Sequence, residues 1–265
     1  MMGADTAPPL PARARRMALL RSVQSHFPFV RAAKFEAYNF ATRMFGLHMI
    51  PEFRVLSGLA PVGLALDIGA NWGQSLCAIQ RTARPREVVC FEPSSFLSSR
   101  LQRRHAGDPA VRIEACALSD SEGTFELHTP RYRNYVYDGL ASLDRAEAEE
   151  WLSPRRLKGF DPALQSVLSE TVAVRQLDDY GFSPDVVKID VQGAELAVVK
   201  GGIETFRRCR PACIIETPGE ELVALLADLG LKAYHFDGQK LSTHDWAKFP
   251  NVVFLTDQHR ERIGL

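Results

Sequence analysis

Four acidic residues stand at or directly after the ends of apolar runs that are predicted to form buried strands: Asp67, Glu92, Asp190 and Glu216. A run without polar alternation, such as Val62–Leu66, is typical of a parallel strand covered on both faces. Because ligands of open α/β sheets bind beyond the carboxyl ends of the strands, the four carboxylates are expected to converge on one ligand-binding rim. Such a rim attracts a cation and offers candidate proton acceptors.

The first of these acids opens a turn punctuated by glycine, Asp67-Ile68-Gly69-Ala70-Asn71-Trp72-Gly73, which joins the predicted strand to a helix. Glycine adopts a positive φ at little cost and lets the backbone come close to a ligand. The unpaired N–H groups of the helix that begins near Asn71 can donate to that ligand. The turn is therefore expected to bind a nucleoside cofactor.

Two such cofactors compete for this turn. A dinucleotide site has the spacing G-x-G-x-x-G below a pyrophosphate, but the third-glycine spacing is missing here and Asp67 would repel the pyrophosphate. S-adenosylmethionine carries an ammonium and a sulfonium, which a carboxylate attracts. Glu92 is placed to accept hydrogen bonds from both ribose hydroxyls. S-adenosylmethionine is the predicted cofactor; in the alternative interpretation Asp67 only caps the helix.

Further motifs follow in order along the chain. They are Phe91-Glu92-Pro93, Ala117-Leu118-Ser119-Asp120, Gln176-Leu177-Asp178-Asp179-Tyr180 and the stretch from Ser183 to Gly202, which contains Asp190-Val191-Gln192-Gly193. With these motifs the chain resembles the FkbM family of S-adenosylmethionine-dependent methyltransferases from roughly Pro61 to Thr256. One departure from the family pattern is Gln192, where many relatives carry Glu.

The resemblance implies an α/β class I methyltransferase (Rossmann-like) fold with a mostly parallel seven-stranded sheet and helices on both faces. It also implies O-methylation of a hydroxyl on a sugar, glycolipid or secondary metabolite, with S-adenosylhomocysteine as the product. The family pattern assigns the methionine end of the cofactor to Asp67, Gly69, Asn71 and Gly73, the ribose to Glu92, and the adenine to Ala117 and Leu118. Ala70, Ser75, Pro93 and Asp190 complete the expected cofactor-binding set.

Methyl transfer to a neutral alcohol needs a base within hydrogen-bond reach. Asp190 is the first candidate for orienting or deprotonating the acceptor, and Glu195 and Glu216 follow. Asp190 could equally stabilise the bound cofactor or cap the next helix, and Lys188 is expected to reach the rim or to pair with an acid. Asp190 and Glu216 are also possible metal ligands, but no close carboxylate cluster enforces a metal and the prediction is that none is needed.

Alternating strands and helices must hold these residues, a pattern typical of a parallel sheet. Strands are predicted at Val62–Asp67, Glu87–Glu92, Val111–Cys116, Asp185–Asp190, Ala212–Glu216, Lys232–Phe236 and Asn251–Thr256, with a short side strand at Thr124–Thr129. Helices are predicted near Trp72–Thr82, Ser94–Ala106, Ala194–Arg208 and Glu220–Leu229. The methyltransferase domain is expected to cover 61–265.

Two segments lie outside this scheme. Residues 1–11 are predicted to be a disordered tail, and residues 12–60 a helical extension broken near Pro28, whose arginines interleave with apolar residues. Those basic helices either cap the sheet or make peripheral contact with anionic lipid. The aromatic and arginine-rich insertion at 128–171 is either a lid over the acceptor or a helical excursion around Asp144–Leu152.

The charge balance and the cysteine content bear on the partner and the cellular compartment of the protein. Acidic and basic residues are equal in number, 32 each, so no overall field favours nucleic acid, and a small-molecule or glycan acceptor is the expected partner. The five cysteines lack metal-site spacing and are expected to be buried thiols, as in a cytoplasmic protein. The alternatives left open are N-methylation of an amine, a non-catalytic binding subunit and a nicotinamide-dependent oxidoreductase.

Overall fold

The computed structural model describes residues 12–27, 29–243 and 250–264, so the predicted tail at 1–11 lies outside the described residues. The chain divides into two compact units. The larger unit comprises Phe35–Leu127 and Glu170–Leu265, and the smaller comprises Met1–Lys34 and His128–Ser169. Because each unit joins two separate stretches of sequence, neither coincides with the predicted boundaries at 12–60 and 61–265, and those boundaries remain a prediction.

The larger unit is built on an eight-stranded sheet with the order β11-β10-β12-β9-β8-β1-β2-β3. Its strands are β1 (Leu64–Ile68), β2 (Glu87–Phe91), β3 (Val111–Glu114), β8 (Val186–Ile189), β9 (Ala212–Glu216), β10 (Lys232–Phe236), β11 (Leu241–Thr243) and β12 (Asn251–Leu255). Strands β3, β2, β1, β8 and β9 are mutually parallel, whereas β12 runs antiparallel to both β9 and β10. The expected α/β class I methyltransferase fold is confirmed.

The prediction of seven strands was one short. The eighth is β11, which pairs antiparallel with β10 through Tyr234↔Thr243 and Phe236↔Leu241. It was missed because a three-residue strand is too short to show a hydrophobic period. The seven predicted strands all occur, with ends that differ by two residues or fewer.

Helices cover both faces of this sheet. On one face, α3 (Gln74–Thr82), α4 (Ser95–His105) and the 3₁₀ helix Pro51–Gly58 contribute to the buried apolar core. On the other face, α6 (Glu195–Lys200), α7 (Ile203–Cys209) and α8 (Glu220–Asp228) do so. Helix α9 (Asp257–Ile263) follows the last strand. Packing on both faces explains why the central strands are continuous apolar runs.

One predicted helix, Ala194–Arg208, is in fact the two helices α6 and α7, separated at Gly201–Gly202. A Cβ on Gly201 would lie 1.9 Å from the carbonyl oxygen of Ser119, and one on Gly202 would lie 2.8 Å from Leu177. The backbone therefore passes so close to its neighbours that only glycine fits at the junction.

A second sheet has the order β4-β7-β5-β6, with β4 (Ala117–Leu118), β5 (Gly123–Tyr132), β6 (Tyr135–Val136) and β7 (Gln165–Arg175). The predicted side strand Thr124–Thr129 lies within β5, which extends three residues further. Strands β6 and β7 were not predicted, since the segment 128–171 was assigned no strand of its own.

The smaller unit contains α1 (Ala12–Gln24), the start of α2 (Val30–Phe45) and α5 (Arg145–Glu150), which Asp144 caps by accepting from the N–H of Ala146. The break between α1 and α2 falls where it was expected. Tyr132, Tyr135 and Tyr137 are buried together with Leu152 and Leu157. The aromatic rings of the insertion thus form a core of their own, and the choice between a lid and a helical excursion stays a prediction.

Contacts within the smaller unit join its two stretches of sequence. The guanidinium of Arg21 lies 5.1 Å from the ring centre of Trp151. The N–H of Lys158 donates to the carbonyl of Ala18 at 3.3 Å. Arg31 donates to the carbonyl of Val136 at 2.6 Å and pairs with Asp138 at 3.3 Å. The first helices and the insertion therefore depend on each other for packing.

No helix within the described ranges combines the length and the apolar character that crossing a membrane requires.

Candidate functional site

The candidate site lies at the carboxyl ends of four adjacent strands in the order β9-β8-β1-β2. The chain runs outward from β1 to β3 and then returns to β8, so the strand order switches between β1 and β8, where open α/β sheets bind their ligands. The structure brings the four acids of these strands to this one rim: Glu216, Asp190, Asp67 and Glu92.

The glycine turn is built from left-handed residues. Gly69, Asn71 and Gly73 have φ values of 78°, 50° and 83°. The N–H groups of Gly69 and Ala70 donate to the carbonyl of Phe91, which fastens the turn to the end of β2. A Cβ on Gly69 would lie 1.9 Å from the carbonyl oxygen of Asp190. The first glycine is thus required because the β1 and β8 turns touch.

Asp67 lies beneath this turn rather than on its surface. Its side chain is fully buried, accepts from the hydroxyl of Ser75 at 2.8 Å and lies 3.5 Å from the ammonium of Lys188. Burial raises the pKa of Asp67, although Lys188 and Ser75 act in the opposite direction. Asp67 and Ser75, both expected to bind the cofactor, therefore support the turn from below in this structure.

Glu92 follows β2 and is 5% exposed. Its two carboxylate oxygens each accept one backbone N–H, from Asn71 at 2.7 Å and from Ser94 at 2.9 Å. These two bonds fix the orientation of the carboxylate at the end of β2. Pro93, next in sequence, is half-buried beside it.

Asp190 and Glu216 stand at the ends of the adjacent strands β8 and β9, where one side-chain amide joins them. The side-chain amide of Gln192 donates to both, at 3.0 Å to Asp190 and 3.3 Å to Glu216. The neighbouring Asp190 carboxyl, aided by burial, raises the pKa of Glu216 to about 7. The pKa of Asp190 is lowered because Lys188 and these hydrogen bonds outweigh the opposing effect of its burial. The two neighbouring acids thus differ in proton affinity.

The carboxylate of Glu195 accepts hydrogen bonds from the backbone. One of its carboxylate oxygens accepts from the N–H of Val191 at 3.2 Å and from that of Gly193 at 3.1 Å. These bonds hold the turn that follows Asp190. Of the three acids considered for proton transfer, Glu195 is thus the one engaged in shaping the backbone.

Ala117 and Leu118 form β4, which pairs with Val174 and Arg175 of β7. They follow β3, whose last residue, Glu114, accepts through its carbonyl from the N–H of Glu92 at 3.0 Å. The residues expected to hold the adenine are therefore next along the chain from the strand that neighbours Glu92.

Three residues other than glycine adopt left-handed conformations where the strands end: Asn71, Gln192 and Thr217, with φ values of 50°, 55° and 45°. Such conformations cost about 1–3 kcal/mol each and cluster at functional sites. The backbone around the rim is therefore held in a form that local preference alone would not produce.

Asn39 of α2 also supports the glycine turn, and the sequence did not predict this role. It is buried and donates to the carbonyl of Trp72 at 2.7 Å. The ring of Trp72 stacks on Phe35 at 4.8 Å between centres, and the guanidinium of Arg100 lies 4.8 Å from the same ring. The feature of the sequence that could have pointed to Asn39 is its place as a polar residue between Tyr38 and Phe40.

Within residues 12–27, 29–243 and 250–264, no group of three or more His, Cys, Asp and Glu side chains is arranged to hold a metal ion. The five cysteines are free, and all except the half-buried Cys209 are buried. Burial raises the pKa of the Cys77 thiol to about 11. That thiol is therefore protonated near neutral pH and plays no part in the candidate chemistry.

Comparison with known proteins identifies a family that the chain matches. Residues 67–230 match the family described as the methyltransferase FkbM domain. The chain is 28% identical over 155 residues to the 2-O-methyltransferase NoeI of Sinorhizobium fredii, an alignment that covers 57% of this chain and 61% of that protein. It is 27% identical over 186 residues to the methyltransferase sdnD of Sordaria araneosa, covering 62% and 72%.

Among solved structures, the methyltransferase FkbM from Methylobacillus flagellatus aligns with a TM-score of 0.45 and 16% identity, over 91% of this chain and 56% of that one. The chain spans less than two thirds of the length of the 2-O-methyltransferase NoeI, which it matches in sequence.

Proposed function

Because the chain belongs to the FkbM family of methyltransferases, we propose that it transfers a methyl group from S-adenosylmethionine to a hydroxyl on a sugar, glycolipid or secondary metabolite. The observation that carries the proposal is the pair Asp190–Glu216 beside the strand switch, joined by the side-chain amide of Gln192, one member of which has a pKa of about 7. Such a group can accept a proton at physiological pH.

The residues at the rim fit the proposed cofactor. Glu92 is a carboxylate held by the backbone at the end of β2, a placement that suits the ribose hydroxyls. Helix α3 begins at Gln74, and its N-cap residue, Gly73, has no side chain that could accept from the first N–H groups, which suits them to bind the carboxylate of the methionine moiety. Glu92, Asp190 and Glu216 lie at the rim, with Asp67 and Lys188 buried beneath it. That balance favours a cationic ligand and disfavours a pyrophosphate, so a nicotinamide-dependent oxidoreductase is the weaker alternative.

S-adenosylmethionine, when bound, supplies an electrophilic methyl group and leaves as S-adenosylhomocysteine. The chain would orient the acceptor hydroxyl and take its proton as the new O–C bond forms and the S–C bond breaks. Glu216 suits the proton transfer better than Asp190, since its raised pKa makes it the stronger base of the two. Asp190 and Gln192 would hold Glu216 in position.

The acceptor atom distinguishes the alternatives. The name of the relative NoeI refers to 2-O-methylation, which supports a hydroxyl acceptor. A neutral alcohol needs a base, whereas a free amine is already nucleophilic, and the Asp190–Glu216 pair therefore favours oxygen over nitrogen. Transfer of a labelled methyl group to polyols and amino sugars, followed by acid hydrolysis of the product, separates the two. Label recovered only as N-methyl would contradict the proposal.

Cofactor binding is expected to depend on Glu92. We expect titration calorimetry to give saturable binding of S-adenosylmethionine and S-adenosylhomocysteine, and Glu92→Gln to weaken both by roughly 10- to 100-fold. The reason is that an amide presents donors where the ribose hydroxyls need acceptors.

The matched control for Glu92 is Glu87→Gln, at the opposite and exposed end of the same strand. It should leave the affinity unchanged. Absence of binding by the unaltered protein would exclude the cofactor and leave the alternative of a non-catalytic subunit.

We also infer that the first helices contact anionic membranes. Residues 12–34 contain five arginines, one lysine and no acidic residue. Exposed apolar side chains are interspersed with them: Met17, Leu19, Leu20, Val23, Phe27, Phe29 and Val30. Cosedimentation with phosphatidylserine vesicles should exceed that with phosphatidylcholine vesicles and fall with salt and in Phe27→Ser/Phe29→Ser. Equal recovery with both lipids would contradict this inference.

A further inference from the structure

We propose that Lys188 is a positioning residue for proton transfer: it keeps Asp190 ionised, so that the proton exchanged with the acceptor resides on Glu216. This inference rests on the proposed function and names a residue that the family pattern alone does not assign to the chemistry.

The position of Lys188 carries the argument. Its side chain is 8% exposed and lies between the β1 turn and the Asp190–Glu216 pair. The ammonium donates to the carbonyl of Gly69 at 2.7 Å and that of Ile68 at 3.3 Å. It lies 3.5 Å from Asp67 and 3.7 Å from Asp190. One cation therefore joins the backbone of the glycine turn to the acids that would take the proton.

The charges around the pair make this cation decisive. Acidic groups face the pair and Lys188 from neighbouring elements: Asp67 on β1, Glu92 after β2 and Glu195 on α6. Lys188 is the cation among the main electrostatic influences on Asp190 and Glu216. Without it, the surrounding acids would disfavour ionisation of both carboxyl groups.

The two acids meet Lys188 unequally. Asp190 forms an ion pair with the ammonium, whereas Glu216, at the end of the adjacent strand β9, accepts from the side-chain amide of Gln192. The ammonium therefore stabilises charge on Asp190 more directly than on Glu216, in agreement with the lowered pKa of Asp190 and the raised pKa of Glu216. The nearby acids raise the pKa of Lys188 despite its burial, so it stays charged.

A purely structural ion pair with Asp67 is the competing interpretation. It predicts that loss of Lys188 destabilises the fold and reduces turnover by the same factor at every pH. The proposal instead predicts that the titration of the pair moves. Replacement by Met removes the charge while keeping a similar length, and replacement by Arg keeps the charge.

The experiment is a pH titration of the carboxyl carbons by ¹³C NMR, with Glu216→Gln and Asp190→Asn used for assignment. In the unaltered protein Asp190 should titrate below Glu216. In Lys188→Met both midpoints should rise, by about 1–3 pH units for Asp190, while Lys188→Arg should keep them near their original values. Lys200→Met, which removes an exposed lysine paired with Glu221, is the matched control and should change neither.

Turnover gives a second readout. The acidic limb of kcat should move to higher pH in Lys188→Met, lowering kcat at pH 7 by roughly 10-fold or more with partial recovery above pH 8. A loss that is uniform across pH, with unmoved midpoints, would overturn the proposal. If Lys188→Met fails to fold, an unaltered protein in which Glu216 titrates below Asp190 overturns it equally. The NMR result holds whether or not the protein transfers methyl groups, so failure of the two proposals can be told apart.

Discussion

Gly69→Ala is expected to destabilise the protein by at least about 3 kcal/mol, since the new methyl group meets backbone and the residue must keep φ near 78°. The Cβ would lie 1.9 Å from the carbonyl oxygen of Asp190, which no side-chain rotation can relieve. The turns after β1 and β8 must then move apart, and cofactor affinity should fall together with stability. Thermal unfolding should show a melting temperature lower by roughly 10 °C.

Gly107→Ala provides the control for this substitution. Gly107 lies in the exposed turn after α4, and a Cβ there would meet nothing within 4 Å. Its melting temperature and cofactor affinity should match those of the unaltered protein. A Gly69→Ala protein that melts and binds normally would show that the two turns are not in contact.

Glu216→Gln is expected to lower kcat by roughly 10²- to 10⁴-fold, the usual contribution of a general base. In the unaltered protein kcat should rise with pH through about 7, because Glu216 holds a proton below its pKa and can accept one only above it. The amide cannot ionise, so this limb should disappear. Cofactor affinity should change much less, since Glu216 accepts from Gln192 rather than from the glycine turn.

Glu221→Gln is the matched control for the loss of a carboxylate, because Glu221 is exposed on α8 and pairs with Lys200. Its turnover and pH profile should be unchanged. Glu216→Gln with normal turnover would transfer the role of base to Asp190, whose Asn variant should then remove the acidic limb.

The central strands could be predicted because a strand that is buried on both faces has an apolar sequence, and each of these apolar runs ends in a polar residue. Asp67, Glu92, Asp190 and Glu216 all stand at such ends, and the parallel arrangement brings them together. The sequence could not tell how these acids differ. Their pKa values depend on Lys188, which meets Asp67 of a strand far away in sequence, and on the closeness of Asp190 to Glu216 of the next strand.

Other features could not be predicted because they depend on which groups pack beside them. The division between α6 and α7 depends on the approach of Ser119 to Gly201, and two consecutive glycines in a helical pattern do not reveal what approaches them. Strands β6 and β7 lie in a segment whose aromatic and arginine content suits a binding loop equally well. Composition does not distinguish rings that bind a ligand from rings that pack on each other, as Tyr132, Tyr135 and Tyr137 do.

The reciprocal packing of residues 12–34 and 128–169 also bears on how this chain can have evolved. Two arginines from the start of the chain contact the insertion: Arg21 lies over the ring of Trp151, and Arg31 donates to the carbonyl of Val136. Ancestors that acquired one stretch without the other would have exposed rings or unpaired guanidinium groups. The two stretches should therefore be gained or lost together among relatives, as one accessory module encoded in two places.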